Sequence, residues 1–188
     1  RAEHPMAYDS VRDRVVLFGG KQVLGQTYHL NDTWEWDVDE WRLMVPASMS
    51  PPARFGHAMT FDSVRGRILM FGGVRSNGQP LQAIYQDLWE WDGEDWNELT
   101  STTTTPVARW NHALAFDSAR GRAVLFGGQI DHYAGTGSNI NLNDTWEWDG
   151  QGWLQRNPNN PPTTRAGHAM VYDSERQRVM MAGASSTG

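Results

Sequence analysis

Four histidines in this chain each follow an arginine by three residues, a spacing that could gather metal ligands around one site. The pairs are Arg1 and His4, Arg54 and His57, Arg109 and His112, and Arg165 and His168. Imidazole nitrogens bind zinc and other transition metals. Metal sites seldom need a ligand from every copy of a repeated element, however. We therefore expect no metal site, and we expect each Arg and His to hydrogen-bond the backbone or a carboxylate of a neighbouring unit.

A glutamate between two tryptophans is a candidate catalytic residue, because a carboxylate can act as a general acid or base. It occurs as Glu35, Glu90 and Glu147. Three copies indicate a structural role, and strand alternation places each glutamate on the face opposite its tryptophans. A buried carboxylate needs a partner. We expect that partner to be one of the arginines of the Arg-His pairs, and we expect Glu90 to be paired most securely because its unit has neighbours on both sides.

These residues recur because the chain repeats a unit of about 55 residues. An Asp between an aromatic residue and Ser marks one block, and Trp-Glu-Trp-Asp marks a second. The marker residues are Asp9, Asp62, Asp117 and Asp173 for the first block, and Trp34, Trp89 and Trp146 for the second. We expect three complete units and the first half of a fourth, with boundaries at 1–53, 54–108, 109–164 and 165–188.

Each unit predicts four short strands. In the second unit, residues 57–61 alternate in polarity and residues 68–71 form a continuous apolar run, with a turn containing Gly66 between them. Residues 88–91 and 96–99 predict the third and fourth strands, joined by a turn at Asp92 and Gly93. No stretch of ten residues has helical periodicity. The sequence therefore predicts an all-β protein.

A unit of this length that ends its second strand in Gly-Gly and carries Trp in its outer strands resembles the kelch repeat. The residues that carry the resemblance are Gly19-Gly20, Gly72-Gly73 and Gly127-Gly128, then Trp36, Trp91 and Trp148, then Trp41, Trp96 and Trp153. The family usually has Tyr where Trp36, Trp91 and Trp148 stand. The resemblance implies a β-propeller of four-stranded antiparallel blades, about three and a half of which are present.

An incomplete ring leaves a strand edge and an apolar blade face open. We expect the chain to be part of a larger propeller. The alternative is that copies associate through the open edges to complete a ring. The fourth unit departs from the pattern with Ala182-Gly183-Ala184 in place of Phe-Gly-Gly.

Composition excludes several classes of function. The absence of cysteine excludes disulfides, thiolate metal sites and cysteine nucleophiles. A net charge of −6 disfavours nucleic acid as a partner, although each unit has an arginine pair beside its first turn. No apolar run approaches the roughly 20 residues that cross a bilayer, so we expect no membrane insertion. Arginine is favoured over lysine, as in bacterial kelch-like proteins, and this resemblance predicts an extracellular or cell-surface location.

Residues that differ between units are freer to contact a ligand than residues that serve every blade. They concentrate in the loops after the second and fourth strands. Both sets of loops emerge on one face of the predicted propeller, which we call the variable face. The short turns emerge on the opposite face, which we call the hairpin face. Long loops on a rigid scaffold commonly bind partners. The predicted ligand-binding residues are Tyr28, His29, Arg75, Tyr85, Trp110, His132 and Tyr133. The alternative is that the tyrosines only anchor their loops. The loop from Asp131 to Asp144 is rich in oxygen ligands and is a candidate for Ca²⁺; we otherwise expect no cofactor.

We expect a non-catalytic module that binds a protein or a glycan. One alternative is a structural unit that assembles through its open edges. The other is the propeller part of a carbohydrate-active enzyme whose catalytic residues lie outside this segment. The kelch-like copper radical oxidases need a Tyr-Cys crosslink, which a chain without cysteine excludes for this segment. The kelch-like specifier proteins need Glu, Asp and His at four-residue intervals, and Leu43 stands where Glu35 and Asp39 would require the histidine.

Overall fold

The computed structural model describes residues 1–75, 83–131 and 139–184. Within these ranges the regular secondary structure consists of β-strands, with no helix. The strands are β1 (Met6–Asp9), β2 (Arg14–Leu24), β3 (Gln26–Trp36), β4 (Trp41–Met44), β5 (Ala58–Asp62), β6 (Arg67–Phe71), β7 (Val74–Arg75), β8 (Ala83–Ile84), β9 (Leu88–Trp91), β10 (Trp96–Leu99), β11 (Ala113–Asp117), β12 (Arg122–Phe126), β13 (Gln129–Asp131), β14 (Asn139–Asn141), β15 (Thr145–Trp148), β16 (Trp153–Arg156), β17 (Ala169–Asp173) and β18 (Arg178–Ala182). The all-β prediction is confirmed. Within the described ranges, no helix has the length and hydropathy needed to cross a bilayer.

Three antiparallel sheets of four strands follow one another along the chain. Blade 1 has the order β1-β2-β3-β4, blade 2 the order β5-β6-β9-β10, and blade 3 the order β11-β12-β15-β16. The half blade contains β17 and β18. Two-stranded ribbons, β7 with β8 and β13 with β14, extend the second-to-third-strand connections of blades 2 and 3. These sheets are the blades of a propeller whose ring is not closed.

The first hairpin of each blade is shaped by its aspartate. In blade 2, Asp62 Oδ1 accepts hydrogen bonds from the backbone N–H groups of Val64 and Arg65, each at 3.0 Å. Gly66 completes the turn at a φ of +67°. Asp13 and Gln177 fill this slot in the outer copies at φ values of +56° and +50°, a region that non-glycine residues adopt only at a cost. The turn is therefore determined more by the aspartate than by the glycine.

The hydrophobic core lies between blades. Phe18 on β2 meets Trp91 and Trp96 of blade 2 in one buried cluster, and Phe71 on β6 meets Trp153 of blade 3 in the next. Aromatic side chains of this size bury a large apolar area, so these contacts are a main source of blade-to-blade stability.

The Gly-Gly pair lets neighbouring blades approach closely. Gly73 N donates to the carbonyl of Arg109 in blade 3 at 2.8 Å. A Cβ on Gly72 would lie 2.7 Å from that same carbonyl oxygen, and Gly72 has a φ of +66°. Any other residue would force the blades apart.

One face of blade 1 has no blade against it. Met6 and Trp41 are exposed there and line a cavity of about 400 Å³. The corresponding faces of blades 2 and 3 are covered by the blades before them. The inner strands β1, β5, β11 and β17 line a second cavity, of about 490 Å³, along the channel.

Candidate functional site

The arginines of the Arg-His pairs are buried at the blade interfaces, but their partners are aspartates. Nη1 and Nη2 of Arg54 donate to Asp87, at 2.6 and 2.7 Å, and Arg109 binds Asp144 at the same two distances. Trp146 Nε1 also donates to Asp144, at 2.7 Å. The expectation that these arginines pair with the Trp-Glu-Trp glutamates is therefore wrong, because each reaches the aspartate that precedes its own blade's third-strand tryptophan.

Among the described residues, the arginines of the first and fourth Arg-His pairs have fewer hydrogen bonds than Arg54 and Arg109. Arg1 forms an ion pair with Asp32, so it follows the same pattern near the surface. Arg165 hydrogen-bonds the backbone oxygen and the hydroxyl of Thr163, at 3.2 and 3.0 Å. At Asp144, burial alone would raise the carboxyl pKa, but the hydrogen bonds from Arg109 outweigh it and the pKa is lowered.

The histidines contact the preceding blade through ring packing. His57 packs edge-on against Phe18, with ring centroids 5.6 Å apart, and His112 packs against Phe71 in the same way at 5.5 Å. Neither ring nitrogen of His57 or His112 has a hydrogen bond of standard geometry among the described residues. Each ring nonetheless faces the backbone of the preceding blade, at Phe18 and Phe71, and this contact opposes the lowering of the two pKa values. The expected backbone partner is present, in a weaker contact than expected. Burial, with a smaller contribution from Arg109, lowers the pKa of His112 to about 3. Within the described ranges, no three His, Asp or Glu side chains lie close enough together to hold a metal ion.

Two of the three glutamates have arginine partners from the first hairpin of their own blade. Glu35 accepts from Arg12 Nη1 at 2.9 Å, and also from Trp91 Nε1 of blade 2 at 2.9 Å. Glu147 accepts from Arg120 at 2.7 Å and from Arg156 at 2.7 and 2.9 Å.

Glu90 is different. It is half-buried and has no hydrogen-bonded arginine among the described residues, and burial raises its pKa. The guanidinium of Arg65, the counterpart of Arg12, reaches instead across to the carbonyl of Asp149 in blade 3. The expectation that Glu90 is the most securely paired of the three is wrong, because its arginine joins the next blade.

The predicted ligand-binding residues do not share one environment. The guanidinium carbon of Arg54 lies 4.1 Å from the centre of the Tyr85 ring, so Tyr85 covers a buried ion pair. Trp110 is only 8% exposed, and its backbone pairs with Gln129. Both side chains are therefore poor candidates for ligand contact. His132 and Tyr133 lie outside the described residues.

The candidate Ca²⁺ loop also has residues outside the described ranges. Of its two terminal aspartates, Asp144 is already bound by Arg109 and Trp146, so its carboxylate oxygens are occupied. The cation site stays a prediction.

Tyr28, His29 and Arg75 lie near the surface, and His29 and Arg75 lie close to one another. Tyr28 and His29 belong to the outer part of the β2–β3 hairpin, in which Lys21 pairs with His29 and Gln22 with Tyr28. We call residues 21–29 the arm. Tyr28 is 52% exposed, and Arg75 is exposed on β7.

The arm and blade 2 meet at Phe55. The Lys21 ammonium lies 4.8 Å from the centre of the Phe55 ring, and the His29 ring packs on it at 5.1 Å. Phe55 pairs through its backbone with Val74, the residue before Arg75. Burial first, and then the charges of Arg75 and Lys21, lower the pKa of His29. We call Lys21, His29, Phe55 and Arg75 the basic cluster.

Sequence reasoning recognises Lys21 as a distinctive residue of the variable loops but leaves it out of the predicted ligand-binding residues, and it does not select Phe55. Lys21 is the only lysine of the chain, and the position of Phe55 carries Trp110 and Ala166 in the later blades. Both are therefore unrepeated, the signal that selected His29 and Arg75.

A chain whose four-stranded sheets pack face to face around a central channel is part of a β-propeller. The family model described as the KLHDC2/KLHL20/DRC7 Kelch-repeats domain matches residues 3–187. The chain therefore belongs to the kelch-repeat family, as the repeat residues indicated.

Three proteins with similar sequences support this assignment. Adagio-like protein 1 of Oryza sativa subsp. japonica is 30% identical over 188 residues, which cover 95% of this chain and 28% of the relative. Kelch domain-containing protein 2 of Bos taurus is 29% identical over 134 residues, covering 68% and 30%. Dynein regulatory complex subunit 7 of Chlamydomonas reinhardtii is 32% identical over 122 residues, covering 63% and 10%. The chain thus spans less than a third of the length of these relatives. They are eukaryotic and give no support to a bacterial origin; the cell-surface location stays a prediction.

Proposed function

We propose that this chain is a non-catalytic protein-interaction module whose partner binds the variable face at the arm. The observation that supports this most directly is the exposed outer part of the blade 1 hairpin: β2 and β3 form one hairpin of 11 residues on each side, and Val23, Leu24 and Tyr28 are exposed on it. One relative is by its name a subunit of a dynein regulatory complex, which also favours a role in protein binding.

The arm has the chemistry of a contact surface. Val23 and Leu24 at its tip are each 67% exposed, and Tyr28 adds an exposed aromatic ring. Exposed apolar side chains grouped beside polar ones commonly mark protein interaction sites. Tyrosine is especially suited to such contacts because it combines a large apolar ring with a hydroxyl group.

The base of the arm is held rigidly, so the partner would meet a preformed surface. Gly20 N donates to the carbonyl of Arg54 in blade 2 at 2.8 Å, and Arg54 N donates to the Leu30 carbonyl at 3.2 Å. Lys21 pairs through its backbone with Ala2. A surface that is ordered before binding loses less conformational entropy when the partner arrives.

Selection from a display library of random peptides tests the proposal. We expect the selected peptides to lose at least about tenfold in affinity for a variant with both Leu24→Ser and Tyr28→Ala, because two exposed apolar contacts are removed. The matched control is Val64→Ser, which removes an apolar side chain that is 62% exposed on the hairpin face. Undiminished binding to the arm variant, or loss of binding to the control, would contradict the proposal. A glycan array on the same variants separates a glycan partner from a peptide partner.

Self-association is a second candidate, and the open face of blade 1 favours it. Met6 is 53% and Trp41 42% exposed on this face, whereas their counterparts in blades 2 and 3 are buried: Met59 and Trp96, and Leu114 and Trp153. A mass measurement in solution distinguishes the two candidates. A discrete oligomer that becomes monomeric when Trp41→Glu is introduced favours assembly, and a monomer that binds peptides at the arm favours the interaction module. A carbohydrate-active enzyme would need catalytic residues from outside this segment.

A further inference from the structure

We infer that the partner presents an acidic segment to the basic cluster, and that binding takes up a proton at His29, so that affinity rises as the pH falls. This inference rests on the proposed function, because it specifies the partner of the same surface. It adds the charge of the partner and a dependence on pH that a purely apolar contact would not have.

The charges near Phe55 are unusual for this chain. The net charge is −6, yet Lys21 and His29 lie against this ring, and Arg75, next to the residue that pairs with Phe55, is close enough to lower the pKa of His29. Glu3, which forms an ion pair with Lys21, is the one carboxylate that pairs with the cluster among the described residues. Arg75 is exposed and has no ion pair within those residues. The cluster therefore has positive charge available for a partner.

His29 is the member that can titrate. Its ring lies on Phe55, its Nε2 is buried without a hydrogen-bond partner among the described residues, and Lys21 and Arg75 are the charged groups that act on it. In the free protein, burial and these two cations lower its pKa below 6.5, so the ring is neutral near pH 7. A proton on the buried ring nitrogen would need an acceptor, and none lies within hydrogen-bond reach of it in residues 1–75, 83–131 and 139–184.

An acidic partner would reverse this situation. A carboxylate beside His29 favours the protonated ring and raises its pKa, because opposite charges stabilise each other. Binding then takes up a proton. The affinity increases as the pH falls below the pKa of the bound state and becomes constant below the pKa of the free state, with a slope of at most about tenfold per pH unit.

The rest of the surface indicates a peptide. The exposed tip residues Val23 and Leu24 stand next to the cluster and would contact apolar side chains that neighbour the acidic ones. A long polyanion such as a nucleic acid would meet the negative charge of the remaining chain. The expected partner segment therefore combines acidic and apolar residues.

The test measures the affinity of the library-selected peptides at about pH 8 and about pH 6. We expect these peptides to be rich in Asp and Glu, and to bind about tenfold more tightly at the lower pH. His29→Asn should abolish this difference while the peptide still binds. Arg75→Gln should weaken binding about fivefold or more at both pH values, because one charge contact is lost. The control Arg178→Gln removes an exposed arginine on the hairpin face and should change neither result.

The outcomes separate this inference from the proposed function. Peptides that require Leu24 and Tyr28 but lack acidic residues, or that bind equally at both pH values, would overturn the inference and leave the arm as the binding site. The inference is also overturned if His29→Asn keeps the pH difference while its melting temperature equals that of the parent chain. Preferential binding of single-stranded RNA over the peptides would overturn the choice of partner. Binding unaffected by the arm variant would contradict the proposed function itself.

Discussion

The hairpin face and the variable face use the same repeat in opposite ways. On the hairpin face, the N–H of an arginine donates to the carboxylate of the aspartate three residues earlier, at 2.9–3.1 Å, in all four copies. On the variable face, one structural position carries Phe55, Trp110 and Ala166 in successive blades, and among the described residues Phe55 is the one of the three with a cation, Lys21, over its ring. The repeated residues build the blades, and the unrepeated ones make one blade junction chemically different from the next.

Repetition of a residue does not guarantee repetition of its contacts, however. Arg12 and Arg120 bind the glutamate of their own blade, whereas Arg65 binds the next blade. The long arginine side chain can reach either acceptor, and which one it reaches depends on the neighbouring blade. The predictions that follow test where the repeat determines stability and where the local contacts do.

The largest effect we expect is a loss of stability in acid, caused by the buried histidines. Burial lowers the pKa of His112 to about 3 and that of His168 to about 4, and it lowers that of His57 well below 6.5. These rings are neutral in the folded state and take up protons on unfolding, so stability is full above the unfolded-state pKa of about 6.5 and is lost as the pH falls through it. Each ring costs up to about 1.4 kcal/mol per pH unit.

Urea unfolding at a series of pH values measures this effect. From about pH 6.5 to about pH 5, the three histidines together should remove up to about 6 kcal/mol of the free energy of unfolding. A His112→Gln variant should show a slope smaller by about a third. Equal slopes for the variant and the parent chain would mean that the acid sensitivity comes from other groups.

The next largest effect concerns the buried Arg109–Asp144 pair. Arg109→Ala leaves a carboxylate beside the core without its cation, which should lower the free energy of unfolding by about 3–5 kcal/mol. The matched control is Arg165→Ala, at the same position of the fourth copy, where the guanidinium hydrogen-bonds only Thr163 among the described residues. That change should cost less than about 1 kcal/mol. Urea denaturation of both variants checks the difference; similar losses would show that the position, and not the ion pair, determines stability.

The fold was predictable because each of its elements depends on a local pattern that the chain repeats. Strand boundaries follow from apolar alternation, and the turns follow from residues such as Asp62 and Gly66.

The arginine partners were not predictable in this way. Each unit offers both an aspartate and a glutamate to the buried arginine, and the distance to each depends on how the third strand packs. Asp87 and Asp144 lie within 2.7 Å of their arginines, which only the folded structure shows.

The site was predictable in part for the same reason. Unrepeated residues could be recognised by comparing the units, and His29 and Arg75 were selected in this way; their contact with a ligand stays a prediction. Whether such a residue faces solvent depends on the preceding blade, so the burial of Trp110 and the cover that Tyr85 forms over Arg54 could not be read from the repeats. Exposure is a property of the junction between blades, and the junctions are where the units differ.

The smallest effect we expect is on the free energy of unfolding when Glu90 or Glu147, which occupy the same position of the repeat, is replaced by Gln. The two changes should differ in sign. Glu147→Gln removes a carboxylate that binds Arg120 and Arg156, and because both arginines are exposed the loss should be about 1 kcal/mol. Glu90→Gln removes a carboxylate that lacks an ion pair in the described contacts and whose pKa is raised by burial. Its ionised form is disfavoured by folding at neutral pH, so the neutral amide should leave stability unchanged or raise it slightly.

Urea unfolding of both variants at pH 7 and at about pH 4 resolves the two cases. Glu90 becomes protonated in the folded state at a higher pH than in the unfolded state, so any advantage of Glu90→Gln should disappear in acid. The Glu147→Gln deficit should also shrink there, because the pKa of Glu147 is lowered by Arg156 and Arg120 against the opposing effect of burial, and its pairing is lost as the pH falls through that value. If both variants lose the same stability at pH 7, the repeat position alone sets the role of this glutamate, and the cross-blade contact of Arg65 has no energetic consequence.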